Sequence, residues 1–338
     1  MAPTPEEDAA SDGDRTTCER TSVTVAICTY NRCELLGRTL ASLAELRVPD
    51  GVSWEVVVVD NRCTDETPAV VASFTDELPV RRVEEPRPGL SHARNRAVEA
   101  ARGELVVWTD DDVLVSSDWL ATYTRAFRRW PDAAFFGGPI RPLFLEDRPD
   151  WLAEGWDVVR GAYPVRDRDD EPFEIGDRRD LPYGANFAAP AEILADRDFD
   201  PRLGRSGSDL MGGEETEYLA RLLEEDHTGR WVPGADLEHM ITPERLTLAY
   251  LRQYYRDLGR LAEARRRRDG GGDVPLLLGR PRWAWRSALE AELRYRLGRL
   301  TSEPRDWLAD LREASRAQGI LMGPPGAADE RREEDGPW

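Results

Sequence analysis

The chain has 338 residues, of which 65 are acidic and 46 basic, so its formal net charge is −19 at pH 7. This charge excludes nonspecific binding to nucleic acid, which needs a basic surface. A hydrophobic content of 40% is sufficient for one large buried core with an appendage. No apolar run approaches the roughly 20 residues of a membrane-spanning helix.

The first residues are acidic and polar, which predicts a disordered tail over residues 1–20 and does not resemble a signal peptide. The four cysteines have no spacing typical of a disulfide framework or a zinc site: Cys18, Cys28, Cys33 and Cys63. We therefore expect a protein of the reducing cytoplasm.

Three apolar runs alternate with helix-like segments in the first third of the chain. The runs are Val23–Tyr30, Trp54–Asp60 and Leu105–Trp108, and Glu34–Leu46 and Thr67–Phe74 follow the first two. Apolar runs of this kind are typical of parallel strands that are buried on both faces. Strands that alternate with helices predict βαβ units and an α/β fold.

Polar side chains follow each of the three predicted strands, in Thr29–Arg32, Asp60–Asp65 and Asp110–Asp112. The carboxyl ends of parallel strands meet at one sheet edge, where ligands bind in open α/β sheets. Three adjacent aspartates repel one another unless a cation joins them, and Mg²⁺ and Mn²⁺ prefer such oxygen ligands. The alternative is a solvated acidic turn before a helix that starts near Ser117 and Asp118.

Five sequence blocks in this order resemble the family 2 glycosyltransferases from about Val23 to Arg260. The blocks are Val25–Arg32, Val57–Thr67, Arg87–Glu104, Trp108–Val113 and Gly212–Leu222, followed by His239 and Ile241–Arg260. The resemblance implies an α/β GT-A fold, with a Rossmann-like, mostly parallel nucleotide-binding sheet and helices on both faces. It further implies a metal-dependent, inverting, hexosyltransferase-type enzyme that uses a nucleotide-diphosphate sugar, with UDP expected.

The resemblance also assigns residues to the donor. Asp60 matches the aspartate that binds the uracil ring, although a turn-capping role is the alternative. The expected donor-binding residues are Thr29, Tyr30, Asn31, Arg32, Asp60, Arg94, Asp110, Asp111 and Arg256.

A metal site and a base follow from the same matches. Asp110 and Asp112 have the D-x-D spacing, with a register uncertain by one residue, and His239 would complete a site for Mg²⁺ or Mn²⁺. Glu215 is expected to take the proton of the acceptor hydroxyl, with Glu214 as the alternative because the register of the doublet is open. Acidic residues also favour the first turn of any helix, whatever their function.

The predicted domain order begins with the acidic tail and a GT-A domain over residues 21–263. Its nucleotide-binding half covers residues 21–113 and its acceptor half residues 114–263. An Arg/Gly-rich linker over residues 264–273, a helical appendage over 274–322 and a disordered tail over 323–338 follow. In the appendage, Trp285, Leu289, Leu293 and Leu297 share one helical face. We expect the appendage to pack on the catalytic domain. Peripheral contact with the inner face of a membrane is the second expectation.

Two other functions compete with this interpretation. A nucleotidyltransferase would need a glycine- and lysine-rich phosphate loop after the first strand, where the chain has CTYNRCELLG. A non-catalytic sugar-nucleotide-binding relative would have lost the acidic triplet or the acid at the helix start. The expected partners are therefore a nucleotide-sugar and a glycan, a lipid-linked or a small-molecule acceptor, and neither the sugar nor the acceptor is specified.

Overall fold

A computed structural model describes residues 20–203, 212–268 and 274–323. The predicted tails lie outside these ranges, apart from Arg20 and Gly323. The described strands are β1 (Thr21–Thr29), β2 (Val52–Asp60), β3 (Val80–Glu84), β4 (Leu105–Thr109), β5 (Val113–Val115), β6 (Phe135–Gly137), β7 (Ile140–Phe144), β8 (Glu174–Ile175), β9 (Asn186–Pro190), β10 (Gly229–Trp231), β11 (Leu237–Ile241), β12 (Leu276–Leu277) and β13 (Arg280–Pro281).

The described α-helices are α1 (Cys33–Ala44), α2 (Thr67–Ser73), α3 (Leu90–Ala100), α4 (Trp119–Arg129), α5 (Asp150–Glu154), α6 (Trp156–Val159), α7 (Ala191–Ala195), α8 (Glu214–Glu224), α9 (Leu248–Arg268), α10 (Arg282–Thr301) and α11 (Pro304–Met322). Short 3₁₀ helices span Arg160–Ala162, Arg178–Asp180 and Pro243–Leu246.

The central sheet has eight strands in the order β3-β2-β1-β4-β9-β6-β10-β8. Strands β1 to β4 pair in parallel, whereas β9 runs antiparallel to both β4 and β6. The three strands predicted from apolar runs are confirmed as the neighbours β2, β1 and β4. Their register aligns Thr29 with Asp60 and Ile27 with Thr109, so the polar strand ends share one edge as expected.

A small second sheet in the order β5-β11-β7 crosses this edge. Its register aligns His239 with Val113, the residue after the acidic triplet. The backbone N–H of Met240 donates to the carbonyl oxygen of Asp112 at 2.8 Å, which fixes β11 against the triplet. Residues far apart in the sequence are thereby brought to one point.

Apolar residues fill both faces of the central sheet. Alternate residues of a strand point to opposite faces, and accordingly Val25 and Ile27 belong to one buried cluster and Ala26 to the other. Helices α1 and α4 contribute to the first cluster and α3 and α8 to the second. This two-sided burial gives the strand ends at the edge a rigid support.

The C-terminal helices pack as a unit on the rest of the chain. Helix α11 lies between α9 and α10, and a third apolar cluster combines Leu251 and Tyr255 of α9 with Trp307 and Leu308 of α11. Gly319 allows the axes of α9 and α11 to come close, since a Cβ at this position would clash with the backbone of α9.

One detail of the sequence prediction is wrong. Residues 264–268, assigned to the linker, continue α9, because Glu263 pairs with Arg266 and Arg267 one turn further on and supports that turn. The appendage packs on α9 through α11, and α10 packs on α11 with a face of alanines, Gly298 and Tyr295. The leucine face of α10 is on the other side, so Leu289 and Leu293 are exposed.

Within the described ranges, no helix is both long and apolar enough to cross a membrane.

Candidate active site

Three of the predicted metal ligands converge beyond the end of β4. Ligand atoms of Asp110, Asp112 and His239 all lie within 4.8 Å of one another. The Nε2 atom of His239 is 3.0 Å from Oδ1 of Asp112 and 4.0 Å from Oδ2 of Asp110. Asp112 and His239 are buried, whereas Asp110 is partly exposed and faces the cleft. The triplet lies in a turn between β4 and β5, and this turn brings Asp110 and Asp112 together.

The histidine is oriented as a metal ligand requires. Its Nδ1 atom is 3.2 Å from the carbonyl oxygen of Met240, and an Nδ1–H that donates there leaves the Nε2 lone pair directed at Asp112. Two acceptors 3.0 Å apart need a proton or a cation between them. Metal-ligating histidines commonly donate their second N–H to a backbone carbonyl in this way. The donor set of two carboxylates and one imidazole fits Mn²⁺ well.

Asp111, the middle residue of the triplet, turns away from this group. It is buried, and its Oδ2 accepts from the hydroxyl of Thr29 at 2.7 Å, while Oδ1 pairs with Nη1 of Arg32 at 3.1 Å. Burial raises the pKa of Asp111 to about 6, although Arg32 opposes the shift. Asp111 thus ties β4 to the end of β1 and supports its two neighbours.

Arginines balance the charge of Asp112. Nη1 of Arg32 lies 3.1 Å and Nη2 of Arg245 3.3 Å from Oδ2 of Asp112. Burial acts to raise the pKa of Asp112, but the two arginines, and His239 when its Nε2 carries a proton, hold it well below its usual range. Sequence analysis did not assign Arg245 to the site. It follows β11 on a 3₁₀ helix, so only the pairing of β11 with β5 places it here.

Glu214 and Arg94 form a buried ion pair opposite the acidic group. Nε of Arg94 is 3.0 Å from Oε1 of Glu214, and both side chains are almost fully buried. The guanidinium also lies over the rings of Trp108, Phe187 and Phe199. A Cβ added at Gly184 would clash with Arg94, so glycine is needed there. Glu214 is therefore committed to holding Arg94.

Glu215 has the environment expected of a base. It is only partly buried and lines the same cleft as Asp110 and Arg94. Burial and the charge of Glu214 raise the pKa of Glu215 to about 7, against the opposing effect of Arg94. A carboxyl group with such a pKa can accept a proton near neutral pH.

The cleft has a volume of about 340 Å³, within the range of small-molecule sites. Tyr30, Arg32 and Asp110 line it together with Tyr163, Tyr250 and Arg265. A second cleft adjoins it, and Gly161, Tyr183, Tyr254 and Leu258 line both. Tyr163 and Tyr183 lie outside the matched blocks, and Tyr250 and Tyr254 lie within Ile241–Arg260 without a role that the sequence could assign.

Three predicted donor-binding residues are engaged elsewhere. Asp60 is buried, with Oδ1 accepting from the backbone N–H of Cys63 at 2.7 Å and Oδ2 from Arg82 at 2.6 Å, as in the turn-capping alternative. Asn31 has a φ of 51° and accepts from the N–H of Thr64, so it shapes the turn after β1. Arg256 donates to Gln318 of α11 and is not among the residues that line the cleft. Helix α9 presents Arg265 to the cleft instead.

The fold and the site together define a class of protein. A mostly parallel sheet with an acidic, histidine-containing group at the strand ends is the arrangement of a GT-A-type transferase. The mannosyltransferase PcManGT from Pyrobaculum calidifontis, solved in complex with GDP-Man and Mn²⁺, has the same fold, with a TM-score of 0.52 and 24% identity over 93% of this chain and 79% of that one. At this identity, the likeness shows the fold alone.

The sequence comparisons then identify the family. The family described as Glycosyl transferase family 2 matches residues 24–187. The chain is 30% identical to the succinoglycan biosynthesis protein ExoM of Rhizobium meliloti over 69% of this chain and 71% of that protein. It is also 26% identical to the glucosyl-dolichyl phosphate glucuronosyltransferase of Haloferax volcanii over 60% of this chain and 64% of that enzyme. The chain belongs to glycosyltransferase family 2 and transfers a sugar from a nucleotide-sugar.

Proposed function

We propose that the protein is a metal-dependent, inverting hexosyltransferase that uses a UDP-sugar and a glycan-type acceptor. The observation that carries the proposal is that Asp110, a member of the metal-ligating group, and Glu215 line the same cleft. Direct displacement at an anomeric carbon needs a leaving-group site and a base in this arrangement, and Glu215 has a pKa suited to the second role.

In this proposal, the diphosphate of the donor lies at the end of β4. Asp110, Asp112 and His239 would hold a divalent cation, which supplies charge neutralisation to the diphosphate leaving group. Arg32 and Arg245 flank the same group and add positive charge. Thr29 and Tyr30 at the end of β1 border the nucleotide, and Arg94 stiffens the floor of the cleft.

The acceptor is proposed to enter through the second cleft. That cleft joins the first at Tyr183 and Tyr254 and also contains Arg166 and Arg168. Aromatic rings with neighbouring polar groups suit a sugar chain, because sugar C–H faces pack on rings while hydroxyl groups bind polar side chains. Two similar proteins bear names related to glycans: ExoM to succinoglycan and the Haloferax enzyme to glucosyl-dolichyl phosphate.

During transfer, the oxygen of the acceptor hydroxyl attacks the anomeric carbon of the donor sugar, and Glu215 takes the proton of that hydroxyl. The bond between that carbon and the diphosphate breaks, and the nucleoside diphosphate leaves from the opposite face. One displacement inverts the anomeric configuration. Both Glu214 oxygens have internal contacts, to Arg94 and to the N–H of Gly213, which favours Glu215 as the base.

A donor screen tests the proposal. Release of nucleoside diphosphate is measured across UDP- and GDP-sugars, with Mn²⁺, with Mg²⁺ and with chelator, and NMR gives the anomeric configuration of any product. We expect turnover with a UDP-hexose that chelator abolishes. Asp110→Asn should weaken cation-dependent donor binding, whereas Asp118→Asn, at the exposed start of α4, should not. Equal donor affinity with and without chelator would contradict the proposed role of a metal. A product with retained anomeric configuration would exclude a single displacement.

A further inference from the structure

Large apolar side chains are exposed in one part of the described chain. Of the eleven large hydrophobic residues with exposed side chains in the described ranges, ten lie between residues 276 and 322. Nine of these belong to the β12–β13 hairpin and to α10, and we call them the outer face: Leu276, Leu277, Leu278, Trp283, Trp285, Leu289, Leu293, Leu297 and Leu300. Contiguous exposed apolar surface on a protein marks an interaction site.

An ordinary surface helix buries its large apolar residues. Helix α10 instead buries mostly small residues and exposes its large apolar ones. Ala284, Ala288, Ala291 and Gly298 are buried, and a Cβ at Gly298 would lie 3.1 Å from the Cβ of Trp307 in α11. The leucines occupy the opposite side at spacings of three and four residues, and Leu289 is 74% and Leu300 84% exposed. The small residues bind α10 to the protein, and the leucines remain available to something else.

The hairpin extends this surface. Nε1 of Trp285 donates to the carbonyl oxygen of Leu277 at 3.1 Å, which holds the hairpin against the start of α10. Leu278 is 82% exposed in the turn, at a φ of 53°. Asparagine or glycine is the usual residue at such a position. A leucine at this position is unfavourable in an isolated chain, because its apolar side chain is exposed to water and its backbone conformation is strained. It therefore indicates contact with a partner surface.

The outer face could be covered by a second copy of the chain, by its own C-terminal residues or by a lipid surface, and charge distinguishes between these partners. Arg286 and Arg296 are exposed among the leucines and pair with Glu290 and Glu292. Helix α10 nevertheless has five arginines and two glutamates, so it keeps an excess of positive charge. A second copy on the same face would bring these arginine-rich surfaces together. Residues 324–338 contain Trp338 as their one large apolar residue, too little to cover the face. Anionic lipid head groups complement the arginines, while leucines and tryptophans suit the boundary of the acyl chains.

We propose that the outer face docks on the surface of an anionic lipid bilayer. Trp283 belongs to the outer face and also lines the second cleft. Docking would therefore bring one end of that cleft to the bilayer. The inference stands apart from sugar transfer, because lipid binding requires neither donor nor acceptor.

Co-sedimentation of the full chain with vesicles tests this inference. The chain should sediment with vesicles of phosphatidylcholine and phosphatidylglycerol, and much less with phosphatidylcholine alone. Leu289→Ser with Leu293→Ser should weaken binding by about tenfold or more, because each leucine loses its burial in the interface. Thermal unfolding should be unchanged, since both side chains are exposed in the free protein.

Two double variants that remove the same number of positive charges distinguish the contribution of the outer face from that of the net charge of the protein. Arg286→Gln with Arg296→Gln should weaken binding to the anionic vesicles, whereas Arg102→Gln with Arg125→Gln, exposed on the GT-A part, should not. Equal binding of the leucine variant and the parent, or no binding of the parent, would overturn the inference. A parent dimer in light scattering that the leucine changes convert to a monomer, without vesicle binding, would assign the face to a second copy instead.

Discussion

Glu214 and Glu215 are adjacent in the sequence, but the fold gives them different environments. Glu214 is buried against Arg94, and Glu215 lines the cleft with a pKa of about 7. The raised pKa has a direct consequence for catalysis. A base must be deprotonated to accept a proton, so acidification below about pH 7 removes the active form.

We therefore predict that kcat falls as the pH decreases through about 7 and that Glu215→Gln removes this dependence. The substitution should lower kcat by about 10²–10⁴-fold with little change in donor affinity. The matched control is Glu217→Gln, in the same helical turn but paired with Arg221. The pH profile of turnover and calorimetric donor binding check both.

Glu214→Gln should act through stability, because it leaves the buried Arg94 without its carboxylate. Its melting temperature should fall, unlike that of Glu215→Gln. If Glu214→Gln alone abolished turnover in a folded protein, the base would be one residue earlier than proposed.

The sequence allowed the acidic triplet and Glu215 to be named, because each lies in a local pattern at a strand or helix end. His239, in the middle of β11, was named from the family resemblance alone. It did not allow the partners of Asp111 or the contact of Arg245 with Asp112 to be predicted. Those contacts depend on the register of β11 against β5, which is set by pairing between distant segments. The engagement of Asp60 with Arg82 arises across neighbouring strands in the same way.

At the scale of elements, periodicity predicted the extents of strands and helices well, but it did not specify which face of α10 is buried. Leucine spacing identifies a helical face, but it does not say whether a partner surface exists for that face. Helix α11 presents a surface that accepts small residues, so the alanine side of α10 packs and the leucine side does not. The contact of α9 with α11 likewise depends on small residues that let the two helices approach closely.

We predict that Gly319→Ala destabilises the protein by about 1–3 kcal/mol, the usual cost of overpacking. The new methyl group would clash with the backbone carbonyl oxygen of Arg256 in α9, and a rigid helix cannot move aside easily. Gly259→Ala should behave similarly against the carbonyl oxygen of Arg316. The urea midpoint measures the effect, and Gly176→Ala, with no atom within 4 Å of its added Cβ, is the control. Equal midpoints for all three variants would show that α9 and α11 separate without cost.

At the scale of the whole molecule, the C-terminal helices complete a core that the central segments begin. The third apolar cluster joins Leu152, Tyr163 and Leu246 to Trp307 and Leu311. Helix α9, which packs on α11, also supplies Asp257, Leu258, Leu261 and Arg265 to the wall of the cleft. The appendage therefore supports the acceptor side of the site without contributing a predicted catalytic residue.

A chain that ends at residue 268 should consequently lose stability and acceptor use before it loses the nucleotide. Removal of α10 and α11 exposes Leu251 and Tyr255 to water and leaves the close-packed surface of α9 without its partner. The nucleotide half, from β1 to β4, keeps its own two clusters. We expect a lower melting temperature and strongly reduced transfer, with donor binding retained in any folded fraction. A chain that ends at residue 323 keeps every contact described above and should match the parent. Full transfer activity and an unchanged melting temperature in the shorter chain would show that the appendage is a separate domain.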